Sequence, residues 1–146
     1  MAELHPMSVH FPIVLLILWP LIEGLGLKLG KKEWSQLAVG VLGVSLLSAL
    51  FATITGQAAF DGAIAAGYDS ELLERHTLDA DLIPWLIILL GIARFLLPKK
   101  IGRKGRWLAV SLGLGIALFL VKVSYEGGNL VYKYGVGVSQ TLGNRK

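Results

Sequence analysis

The sequence predicts an all-α integral membrane protein, a four-helix bundle of two antiparallel hairpins with both termini outside. Three observations carry this. Of 146 residues, 54% are hydrophobic, and the mean hydropathy of +0.65 exceeds what a soluble domain this small can bury. Four apolar segments reach the roughly 20 helical residues that cross a hydrocarbon core about 30 Å thick. Finally, the charges separate by loop.

The segments run from Val9 to Gly30, Trp34 to Gln57, His76 to Leu97 and Trp107 to Tyr132. The first follows Met-Ala-Glu without a basic leader, which reads as a permanent helix rather than a signal peptide. Residues 1–146 are then one transmembrane domain. Short inner turns hold Lys28, Lys31 and Lys32, and then Lys99, Lys100, Arg103, Lys104 and Arg106. By the positive-inside rule both turns face the cytoplasm and both termini lie outside. The connection from Ala58 to Arg75 carries Asp61, Asp69, Glu71 and Glu74, faces outward, and is long enough for a surface helix or lid.

The net charge of +4 is therefore topological and implies no nucleic-acid partner. The bilayer is the partner that composition requires. With no cysteine, the chain has no disulfide, no cysteine-bound iron–sulfur cluster and no C-x-x-C-H haem attachment. A metal or haem would rest on histidine, methionine, tyrosine or carboxylate.

The hairpins resemble each other weakly: each opens on a histidine (His10, His76), gains a proline (Pro12, Pro84) and ends near glycine (Gly56, Gly127, Gly128). A parallel repeat about an axis along the membrane normal has this layout, and it makes His10 and His76 equivalent. Intramembrane ionisable groups usually face the bundle interior and mark functional sites. Two neutral imidazoles across a bundle supply both axial ligands of a haem b, which favours electron transfer. The competing readings are histidines that only cap helices in a structural subunit without cofactor, and an outer-leaflet zinc or copper site at His10 and His76. No H-x-x-x-H, H-E-x-x-H or H-x-H spacing supports the latter. His5 reads as an outlying group of the same site.

Lys122 lies deep in the fourth helix, with Glu126 one turn on. An i,i+4 ion pair explains it, and neutralisation of a haem propionate is the functional counterpart. Glu23 falls about 20 Å below His10, at the depth of Arg94, so the two are expected to pair. Gly40, Gly43, Gly113 and Gly115 read as helix-packing positions. The four tryptophans read as interface anchors and packing residues.

The octet His5-Pro6-Met7-Ser8-Val9-His10-Phe11-Pro12, together with Gly56, His76 and the run from Gly127 to Val138, resembles a bacterial four-helix membrane family catalogued as domain of unknown function 2231. The resemblance spans nearly the whole chain. It implies a redox setting, because some relatives look joined to Rieske-type or cytochrome-c-like domains. Partners would then be other membrane redox subunits, a periplasmic electron carrier or a quinone. Where that family's pattern reads H-G-V-G-V, this chain has Tyr134. The position is thus a further candidate for the site, as ligand or as neighbour of the ligands.

Overall fold

The computed structural model describes residues 2–138. A 3-10 turn (Ala2–Leu4) leads into α1 (His5–Ser8), α2 (His10–Leu29), α3 (Lys32–Ala65), α4 (Ser70–Ile101) and α5 (Arg103–Tyr132). The Val9 amide bonds to the His5 carbonyl at 3.2 Å, so α1 and α2 form one apolar span from His5 to Leu29. Among the described residues, four helical spans are long and apolar enough to cross a membrane. Each packs on two neighbours, with α2 opposite α4 and α3 opposite α5. The first and last described residues, Ala2 and Val138, lie at the end opposite the basic turns.

The turns follow from local chemistry. Gly30, at φ 67°, closes α2 in the left-handed conformation that glycine adopts without strain. At the histidine end, α3 continues to Ala65 and α4 begins at Ser70, which corrects the long connection expected from 58 to 75. Ala58 to Ala65 offers helix formers with only Gly62 against them. The chain breaks instead at Gly67, with φ 87°, and Asp69 caps α4 by accepting the Glu71 amide at 3.0 Å.

The core holds Leu16, Trp19, Ala38, Ala49, Ile87, Leu90, Ala109 and Leu120. Trp19 is 1% exposed, donates Nε1–H to the Ala38 carbonyl at 2.9 Å, and lies on Gly113, where a Cβ would fall 2.5 Å from its ring. Trp19 is thus a core residue, whereas Trp85 and Trp107 face outward. Of the four glycines expected to pack helices, only Gly113 does. Gly40, Gly43 and Gly115 border open space.

The repeat is real, and its register is a shift of 71 residues, from His5 to His76. It carries Leu16 to Ile87, Trp19 to Leu90, Ala38 to Ala109, Ala49 to Leu120 and Ala52 to Val123, and every one of these positions is buried. It also carries Glu23 to Arg94 and Ser35 to Arg106. These four side chains meet on the bundle axis. Glu23 is fully buried, and its Oε1 receives Arg94 Nε at 2.5 Å and Arg106 Nη2 at 2.8 Å. Ser35 Oγ accepts from Arg94 Nη2 at 2.7 Å and Arg106 Nη2 at 3.0 Å. The expected Glu23–Arg94 pair is present, and this cluster links both diagonals of the bundle.

Candidate functional site

The histidine end holds two half-sites related by the 71-residue shift. In the first, His5 rests on Gly56, where a Cβ would lie 2.9 Å from the imidazole Cε1. Its Nδ1 lies 3.1 Å from the Ala52 carbonyl and 3.3 Å from Thr55 Oγ1. A carbonyl only accepts, so Nδ1 carries the proton and Nε2 keeps its lone pair. Ser8 Oγ donates to the His5 carbonyl at 3.0 Å and lies 2.9 Å from Thr55 Oγ1. Thr55 itself is fully buried.

In the second half-site His76 rests on Gly127, again with a Cβ placed 2.9 Å from Cε1. Val123 is the counterpart of Ala52, but His76 makes no hydrogen bond to its carbonyl of the kind that His5 makes to Ala52. Ser8 and Thr55 become Asp79 and Glu126, and two carboxylates cannot bond each other directly while ionised. Lys122 joins them, at 2.6 Å to Asp79 and 3.2 Å to Glu126. The expected i,i+4 pair is therefore present, with Asp79 as a second partner. His76 Nδ1 and Glu126 Oε2 are buried without a hydrogen-bond partner among the described residues.

The structure therefore matches His76 with His5, correcting the equivalence of His10 and His76. The counterpart of His10 is Asp81, and His10 is exposed. His5 and His76 lie at the same end of the bundle, on α1 and α4. The sequence signal for this pairing is the recurrence of histidine and glycine at one common shift, His5 with Gly56 and His76 with Gly127.

Beside His76 opens a cleft of about 180 Å³ lined by Leu72, Arg75, Glu126, Asn129, Leu130 and Tyr134. Tyr134 thus stands at the same opening as His76, and its segment is held by Tyr68, whose hydroxyl donates to the Gly135 carbonyl at 2.7 Å. Among the described residues no three of His, Cys, Asp and Glu converge as a metal-ion site.

Fold and site together define a multi-pass four-helix membrane protein with one histidine of each half at the same end. The chain belongs to the family described as a predicted membrane protein, domain of unknown function 2231, whose model matches residues 2–140. No curated protein and no solved structure matches it.

Proposed function

We propose that the chain is a small b-type cytochrome or redox subunit, with His5 and His76 as the axial ligands of one haem at the histidine end. The observation that carries this is the repeated pairing of an imidazole with a glycine, His5 on Gly56 and His76 on Gly127, where any larger residue would collide with the ring. Glycine under each imidazole lets the ring seat against the neighbouring helix backbone, which holds one histidine of each half at the same end of the bundle. Two imidazoles suit a haem iron, which needs two protein ligands, better than zinc, which takes three or four. His10 is left out by its exposure.

The residues divide the work. The Ala52 carbonyl fixes the His5 tautomer and raises the basicity of Nε2. Gly56 and Gly127 let the two rings seat against α3 and α5. Lys122, held by Asp79 and Glu126, keeps two carboxylates compatible with an apolar setting. When bound, the haem would supply one-electron chemistry to partner subunits or a carrier. The charge distribution supports placing the basic turns in the cytoplasm and the histidine end outside.

The test is the visible spectrum of purified protein supplied with haem. A sharp bis-imidazole spectrum is expected, lost in His5→Ala and in His76→Ala and kept in His10→Ala. Folded protein that stays colourless, or a spectrum that depends on His10 and not on His5, would overturn the assignment.

A second reading, a structural subunit without cofactor, draws on the apolar groove between α3 and α4. Gly43, Gly91, Ile88 and Phe95 border it, a surface suited to lipid or another apolar helix.

A further inference from the structure

We propose that the cleft beside His76 binds the head group of a membrane hydroquinone through His76 Nδ1 and Glu126 Oε2. Both atoms belong to residues that line the cleft, and among the described residues both are buried without a hydrogen-bond partner. Leaving such atoms unpaired is costly, about 1–3 kcal/mol for a neutral group and more for a charged one. Glu126 Oε1 is already engaged by Lys122, so Oε2 is the oxygen left to accept. A ligand that satisfies both carries hydroxyls on a small rigid body, one donating to Glu126 Oε2 and one accepting from His76 Nδ1–H.

The lining selects further. It holds one cation, Arg75, and one anion, Glu126, so it offers no net charge to a phosphate or carboxylate and favours a neutral ligand. Leu72 and Leu130 supply apolar walls that suit a ring's faces, while Asn129 and Tyr134 add polar groups at the opening. About 180 Å³ is well above the roughly 10–15 Å³ that one water needs, which leaves space for a small ring. The cleft lies at the outer end of two membrane-spanning helices, α4 and α5. A head group carried on an apolar tail reaches it from the bilayer, and a freely water-soluble phenol has no such anchor.

This inference goes beyond the haem assignment and does not need it. An imidazole has two nitrogens, and the unpartnered one is Nδ1; a hydroquinone bound there leaves Nε2 for iron. Only hydrogen bonds are invoked, with no transfer of electrons.

The test is equilibrium dialysis of the detergent-solubilised full chain against a decyl-substituted benzohydroquinone kept reduced under nitrogen, with protein-free micelles as reference. Saturable one-to-one binding is expected. Glu126→Ala should weaken it by about tenfold or more, as expected for loss of a bond to a charged acceptor. His10→Ala, at an exposed residue that does not line the cleft, should bind as the native chain does. Asn129→Trp, whose ring fills the cleft, should abolish binding even if Glu126→Ala proves poorly folded. Partition no greater than into empty micelles would overturn the proposal, as would native affinity in folded Glu126→Ala and Asn129→Trp together. The visible spectrum, recorded separately, reports on the haem assignment alone.

Discussion

Gly56 and Gly127 are the residues on which the histidine end turns, since each lies under an imidazole with no room for a methyl group. Gly127→Ala should push His76 off its position while leaving the helices intact, because alanine is the better helix former. The expected outcome is a lost or broadened haem spectrum with unchanged helical circular dichroism; a native spectrum would remove glycine from the site. The octet around His5 and His10 contains two histidines at one helix start, and distance from the membrane edge does not choose between them. What chooses is a carbonyl and a hydroxyl on another helix, Ala52 and Thr55, and contacts of that range are not written in local pattern. The Gly56 and Gly127 positions were legible as helix-closing glycines, and their function as the floor of each ring was not.

At the scale of elements, the spans were legible because lipid demands long apolar runs, while their outer ends were not. The 34 residues of α3 reach about 50 Å, well beyond the hydrocarbon core, and past that limit hydropathy no longer distinguishes helix from loop. Packing between elements shows a complementary exchange. Trp19 lies on Gly113, whereas the equivalent positions of the other half hold Leu90 and Leu42. Gly113→Leu alone should destabilise the bundle by overpacking, about 1–3 kcal/mol. Trp19→Leu combined with Gly113→Leu installs the other half's pair and should recover most of the loss in thermal unfolding followed by size-exclusion elution. Failure of the double variant to improve on the single one would show that the two halves do not pack alike.

At the scale of the whole molecule, the axial cluster sets how the hairpins meet. Glu23→Gln leaves two arginines facing a neutral amide near the bundle centre and should cost about 3–5 kcal/mol, as for other broken buried ion pairs. Because Glu23 and Arg94 are equivalent positions, Glu23→Arg with Arg94→Glu should fold better than either single change, and thermal melting of the three variants decides it. Orientation is testable as well, since the chain has no cysteine of its own. In cells, a membrane-impermeant maleimide should label Ala66→Cys directly and Lys31→Cys only after permeabilisation, and the reverse pattern would invert the assigned topology.

The cluster also dictates which hairpins may associate. Were the first hairpin to pair with a copy of itself, two Glu23 carboxylates would meet on the axis with no cation between them. The second hairpin paired with its copy would gather two Arg94 and two Arg106 side chains around no anion. Each half is thereby barred from self-association and accepts only the other, so linkage in one chain secures one acidic and one basic hairpin in every bundle.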